Sequence, residues 1–309
     1  MIANKSGLLT MRNGVMGSDM RYTIENEYLK SEIDPHGAEV KSLIRKSDGR
    51  EMMWCGDPAY WGRTSPVLFP FVGAVKDKTY RYEGKSYTIG QHGFARDKDF
   101  SLESQINTEI WFRLTESEDT LVVYPFRFVL RIGYRLEESR LRVMWEVSNP
   151  AEKELWFSIG AHPAFAIPSL QGHSLRLFNQ KGKPLKRLEN RVFGKDGCVS
   201  YQFDEILIKD GCLPLTESLF DGDALVMEEC QLGRVDLLDE NLNVLVSLAF
   251  DAPVVGIWSP PHKNAPFICI EPWYGRCDAE KYDGELQERE YECMITEGES
   301  FNAEYAIIV

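Results

Sequence analysis

The chain is 309 residues long, 43% hydrophobic and 12% aromatic, with a formal net charge of −13. Its apolar content can fill a large core, and its acidic balance repels a phosphate backbone, which excludes nucleic acid as a natural partner. No stretch approaches the ~20 apolar residues of a membrane-spanning helix, so no membrane association is expected. Seven cysteines at irregular spacing, without a CxxC pair, support neither a disulfide framework nor a zinc site. Reduced thiols in a cytoplasm are expected.

In chain order, residues 1–19 lack the apolar region of a signal peptide and read as a leader ahead of one domain over residues 20–309. Asp57-Pro58 predicts a short helix leading into Trp61. Tyr80 and Tyr82, then Tyr87 and Ile89, flank Glu83-Gly84-Lys85 and predict a hairpin. Phe126, Phe128, Leu130, Ile132, Tyr134 and Leu136 alternate with Arg127, Arg131 and Arg135. Leu141, Val143, Trp145 and Val147 repeat the period of two after a turn at Glu137–Arg140, which predicts an antiparallel pair of half-buried strands. The stretch Gln180–Gly197, rich in Lys, Arg, Asn and Gly, reads as a loop excursion. Residues 278–290 have room for one helical turn or two, and Phe301, Ala303, Tyr305 and Ile307 form a closing strand. Many short strands, few helical signals and no βαβ alternation predict an all-β fold, a large antiparallel β-sandwich with few short helices. Neither GxGxxG nor a P-loop occurs, which argues against a nucleotide enzyme.

Five histidines are present. His162 lies in Gly160-Ala161-His162-Pro163-Ala164-Phe165, at the end of an apolar strand, where Pro163 holds it extended. It is either a core or turn histidine bonded to a carbonyl, or a general acid, since imidazole titrates nearest neutrality. Glu271 closes the apolar strand Phe267-Ile268-Cys269-Ile270 just before Pro272-Trp273. A carboxylate there is costly to bury unpaired. It is either an ion-pair partner or a general base, and the base is the favoured reading. His92 and Arg96 lie in Gln91-His92-Gly93-Phe94-Ala95-Arg96, where Gly93 permits positive φ or close approach to a ligand. Arg63 lies among aromatics and prolines in Trp61–Pro70, and its forked donors suit hydroxyl or phosphate groups. His36 and His173 neighbour glycines and read as turn residues; His262 reads as exposed, with a cleft-rim position as the alternative.

Four pieces follow in order: Phe69-Pro70-Phe71-Val72-Gly73, His92–Arg96, His162–Phe165 and Ile270–Trp273. Together they resemble the aldose 1-epimerase (galactose mutarotase) superfamily from Met20 to the C-terminus, with the LacX-like branch the most similar. The resemblance implies a β-supersandwich that binds a sugar in a cleft across one sheet. It implies His162 as general acid on the ring oxygen, Glu271 as general base on the anomeric hydroxyl, and His92 polarising the sugar. Gln91, Arg63, Arg96 and Asp223 are the implied substrate-binding residues, with Asp221 as the alternative to Asp223. Trp61, Phe94, Trp258 and Trp273 are candidates to pack on the sugar's apolar face. Ring opening in one direction starts from ionised Glu271 and protonated His162; neither metal nor cofactor is implied. The Asn-Arg pair that galactose mutarotases carry before their first histidine is missing. Arg63 instead fits the hexose-6-phosphate 1-epimerases, so a hexose phosphate stands beside a free hexose as candidate substrate. A non-catalytic carbohydrate-binding or sensor protein is the alternative of another class. The sugar's identity and the oligomeric state are left open.

Overall fold

The computed structural model describes residues 21–309. The expected leader and Met20 lie outside the described residues. Where apolar residues alternate with arginines, the chain forms a long ladder, Val129–Glu137 antiparallel to Arg140–Ser148. Ile132 pairs with Trp145 and Leu130 with Val147, all buried. On the opposite face Arg131 bridges Glu103 and Glu146. The turn is tighter than the four residues expected, with Glu138 taking a positive φ of 51°. Phe126 and Phe128 are buried as expected but precede the strand, because the Phe128 N–H donates to the Glu116 carboxylate rather than to a neighbouring strand.

This ladder sits in a nine-stranded sheet, joined on one side through Ser300–Ile308, Val244–Phe250, Arg234–Leu238 and Ser174–Phe178 to Leu213–Pro214. On the other side it continues through Glu109–Thr115 to Ser101–Ile106. A six-stranded sheet carries Leu225–Met227, Val254–Trp258, Phe267–Tyr274, Ile159–Ala161 and Val67–Leu68 in that order, with Ala164–Ala166 also pairing to Phe267–Tyr274. Ile132, Trp145, Leu248 and Ile307 of the larger sheet share one core with Val255, Ile257, Ile268 and Ile270 of the smaller. The chain therefore forms the expected all-β antiparallel sandwich. Because side chains alternate along a strand, Phe267, Cys269, Glu271 and Trp273 stand on the other face of the smaller sheet.

The hairpin at Thr79–Tyr82 and Lys85–Thr88 and the closing strand Ser300–Ile308 form as expected. Within 278–290 there is one short 3-10 turn, Leu286–Glu288. The expected helix at Asp57 does not form: Tyr60 and Trp61 N–H both donate to the Asp57 carbonyl, closing one turn before Gly62. Glu118–Val123 is an α-helix that hydropathy did not predict; Ser117 and Thr120 cap it reciprocally. The excursion at Gln180–Gly197 is part ribbon, Arg187–Phe193 pairing with Val199–Leu207. Most of that ribbon is exposed or half-buried, so no period of two in hydrophobicity marked it. Among the described residues no helix is long and apolar enough to cross a membrane.

Candidate functional site

A cleft of about 850 Å³ opens on the outer face of the smaller sheet, within the ~300–1,000 Å³ usual for small-molecule sites. Its lining includes Arg63, Gln91, His92, Arg96, His162, Asp223 and Glu271. These are the three catalytic and four substrate-binding residues that the sequence motifs imply.

Glu271 sits inside Phe267–Tyr274 rather than at its end, because the strand continues through Pro272, opposite Val255. Its register partner is Gly256, and Trp273 pairs with Gly160 on the other side. A Cβ at Gly256 would lie 2.4 Å from the Trp273 ring, and one at Gly160 2.7 Å. The two glycines thus let the indole lie flat across three strands and form the floor beside Glu271. His162 follows the strand Ile159–Ala161, and its N–H donates to the Pro66 carbonyl at 3.1 Å. Trp61 stacks on its ring at 4.5 Å between centroids, and Trp258 meets it edge-on at 5.5 Å. The result places His162 Nε2 3.3 Å from Glu271 Oε2. Both side chains are buried, and His162 Nδ1 and Glu271 Oε2 have no hydrogen-bond partner within the protein.

His92 is fixed differently. Its N–H donates to the Gly73 carbonyl at 2.8 Å, and the Gly73 N–H donates to His92 Nδ1 at 3.1 Å. An accepting Nδ1 assigns the neutral tautomer, with the proton on Nε2. The ring stands edge-on to His162 at 5.7 Å. Gly93 takes a φ of 68°, and a Cβ there would lie 2.3 Å from the Phe69 carbonyl oxygen. Of its two expected uses, positive φ holds, while the close approach is to this backbone. Phe94 is a correction: its ring packs against Phe69, Tyr124 and Phe128 in the core, away from the cleft. Trp61, Trp258 and Trp273 do line the cleft.

Burial dominates the electrostatics. It pushes Glu271 well above the usual carboxylate range, helped by the nearby Asp223 charge. It pushes His162 down to about 3, with Arg96 adding to the shift, and His92 well below the imidazole range, with His162 as the next cause. Burial thus favours the uncharged form of each group, a carboxylic acid beside a neutral imidazole, whereas ring opening in one direction starts from the charged pair, ionised Glu271 and protonated His162. Asp223, itself raised by burial, is the aspartate whose charge bears on Glu271. Asp221 lies at the rim, 3.7 Å from exposed His262. His36 pairs with Asp99 at 2.7 Å.

Arg63 and Arg96 come together at one end of the cleft. Arg96 Nη2 donates to the Gln91 carbonyl at 2.8 Å, and burial followed by the Arg63 charge lowers Arg96 to about 10. Arg63 Nη2 donates to Asp97 Oδ1 at 2.7 Å. Sequence reasoning missed four further lining residues, Phe193, Gly194 and Gly197 at the tip of the ribbon, and Cys277. The glycines around Lys195-Asp196 were the available signal. His162, Cys269 and Glu271 offer ligand atoms within 4.8 Å of one another, as a metal would need. Burial drives both the thiol and the carboxyl toward their protonated forms, which works against metal binding.

The chain matches the model of the aldose 1-epimerase family over residues 20–276. Protein LacX of Lactococcus lactis subsp. lactis, chromosomal and plasmid-borne, is 30% identical over 265 residues, 83% of this chain and 88% of that protein. A galactose mutarotase related enzyme from Lactobacillus acidophilus superposes with a TM-score of 0.86 at 34% identity, covering 94% of this chain and 97% of the other. A galactose mutarotase-like protein from Lactobacillus casei ATCC 334 gives 0.84 at 29%, covering 94% and 99%.

Proposed function

The chain belongs to the aldose 1-epimerase family and its LacX-like branch, and we propose that it is a mutarotase interconverting the α and β anomers of a hexose. The observation that carries this reading is the buried His162–Glu271 pair, 3.3 Å apart, the facing oxygen having no hydrogen-bond partner within the protein. Ring opening removes a proton from the C1 hydroxyl and delivers one to the ring oxygen. Glu271 takes the first and His162 gives the second; the carboxylic acid and neutral imidazole that remain are the resting form of the cleft. Closure on the other face runs the two transfers backwards. The pair holds one proton throughout, and that proton crosses from Glu271 to His162 before each opening. His92 Nε2–H donates to a sugar oxygen, Asp223 and Gln91 bind hydroxyls, and the indole of Trp61 or Trp273 covers an apolar sugar face. Seven free thiols fit a reducing cytoplasm.

Polarimetry on freshly dissolved α-glucose and α-galactose tests the reading. Relaxation faster than the spontaneous rate, in proportion to protein, is expected; relaxation at the spontaneous rate with calorimetric sugar binding would instead establish a non-catalytic sugar-binding protein.

Arg63 and Arg96 in the same cleft favour a second reading, a hexose-6-phosphate 1-epimerase. It requires a strong preference for glucose 6-phosphate that Arg63→Ala removes, and equal rates on both sugars sink it.

A further inference from the structure

Two guanidinium groups at the edge of a sugar cleft form an anion site, yet this one already holds an anion. Asp97 Oδ1 accepts from Arg63 Nη2 at 2.7 Å, and Asp97 Oδ2 lies 3.9 Å from Arg96 Nε. Arg63 Nη1 points back to the Arg96 carbonyl at 3.4 Å. The 3-10 turn Ala95–Asp97 sets this arrangement, because it brings Asp97 directly after Arg96 onto the side that Arg63 reaches. The Arg96 Nε is buried without a hydrogen-bond partner. The remaining carboxylate that bears on Arg96, Glu39, is itself occupied by the Thr64 and Ser65 N–H groups and by Lys41.

We propose that Asp97 is a specificity-determining residue, a built-in carboxylate that occupies the Arg63–Arg96 anion position and makes the cleft select neutral hexoses over hexoses carrying a phosphoryl group. The inference rests on the proposed sugar site and goes beyond it. A phosphoryl group entering beside Arg63 must displace Asp97 or sit against it. In the first case it loses the gain of a new ion pair, because an equivalent one is broken; in the second it meets like charge. A neutral hexose faces neither cost. The Asp97 side chain is 53% exposed, so its replacement leaves no buried vacancy. That exposure also keeps the expected effect modest.

The test is titration calorimetry of the full chain and its Asp97→Asn variant with glucose, glucose 6-phosphate and inorganic phosphate at low salt. Wild type is expected to bind glucose 6-phosphate no more tightly than glucose. Asp97→Asn should shift the ratio of the two dissociation constants toward the phosphate by about tenfold, corresponding to ~1.4 kcal/mol, and less at high salt. Arg63→Ala in the Asp97→Asn background should cancel the shift, which a purely structural role of Asp97 would not produce. An unchanged ratio, or a wild type that already prefers glucose 6-phosphate, overturns the proposal. If no sugar binds either form, the mutarotase reading falls. Inorganic phosphate then decides alone: tighter binding by Asp97→Asn sustains the role of Asp97, and equal binding ends it. Should Asp97→Asn fold poorly by circular dichroism, Asp97→Ser carries the same comparison.

Discussion

Replacing Glu271 with glutamine keeps the shape of the side chain and a group facing His162 Nε2 across 3.3 Å. It removes the capacity to exchange a proton. Positioned acid–base catalysis typically contributes ~10²–10⁴ per group, or about 2.7–5.4 kcal/mol at 1.36 kcal/mol per tenfold. A loss of kcat of about 10³ is expected for Glu271→Gln, with KM changed only a few-fold because the carboxamide still bonds to the sugar. His162→Asn should lose a similar amount. The distinctive expectation concerns the double variant. Two independent catalysts would multiply their losses to about 10⁶, whereas a pair that works through one shared proton is already disabled by either change. The double variant should therefore fall within about tenfold of each single one. Polarimetry or a coupled anomer-specific assay, corrected for spontaneous mutarotation, measures all four corners of the cycle. Retention of more than a tenth of wild-type activity by either single variant, or multiplicative losses, would refute the shared-proton argument.

The same pair sets a pH dependence. Because burial holds His162 near 3 and Glu271 well above its ordinary range, it widens the range of pH over which the pair holds a single proton. The rate constant kcat/KM should stay flat below the ordinary imidazole value and fall on the alkaline side as the shared proton leaves; an acid limb centred near 6.5 would contradict this. A carboxyl raised by folding contributes stability that is complete below its unfolded value and is lost as pH climbs toward its folded one. Differential scanning fluorimetry should accordingly show Glu271→Gln gaining Tm over wild type, increasingly so as pH rises above the ordinary glutamate range; a Tm loss at every pH would count against burial as the cause. Gly93→Ala forces a Cβ to 2.3 Å from the Phe69 oxygen at a φ of 68°. It should cost about 2 kcal/mol or more and a Tm drop of several degrees, with weaker sugar binding because His92 moves; a wild-type Tm would show that the turn relaxes freely. Arg276→Met leaves Glu228 with one fewer cation in a buried network and should destabilise by ~3–5 kcal/mol, read by denaturant unfolding; a change under about 1 kcal/mol would mean the network is dispensable.

How much was legible in the sequence depended on whether burial left a periodic trace. The ladder from Val129 to Ser148 has one face in the core and one bearing Arg131, Arg135 and Arg142, so its period of two is explicit. The ribbon Arg187–Leu207 has no buried face over most of its length, so its first strand falls inside the stretch Gln180–Gly197 that reads as a loop excursion. The seven site residues lie in or beside short motifs, and the fold gathers all of them into one cleft. The wall at Phe193, Gly194 and Gly197 escaped because it comes from that same ribbon. Phe94 misled for a different reason. Its neighbours Gly93 and Arg96 belong to the cleft edge, but positive φ at both His92 and Gly93 turns the chain and sends its ring into the core. Protonation was the least legible feature: the sequence offers an acid and a base, and only burial decides which one holds the proton.

That decision follows from where the chain places its compensating charges. Four residues beyond Glu271 the strand Phe267–Tyr274 has ended and Gly275 turns the backbone into Arg276, buried and paired with Glu228 and Glu290. Arg289, also buried, pairs with Asp278 at 2.7 Å and Glu292 at 2.5 Å. Arg191, on the ribbon that carries Phe193, closes onto the same Glu228 at 2.7 Å. The buried carboxylates among these, Glu228, Asp278 and Glu292, each have a cation against them. Glu271 has no such cation: its neighbours on the face are Cys269 and Trp273, its register partner is Gly256, the nearby charge that bears on it is that of Asp223, and His162, which faces it at 3.3 Å, is an imidazole that burial pushes toward neutrality. An arginine at any of these positions would hold the carboxyl ionised and tie up the proton acceptor the reaction uses. An ionised carboxyl so placed would be uncompensated and destabilising, so burial without a cation favours the protonated group, 3.3 Å from His162 Nε2.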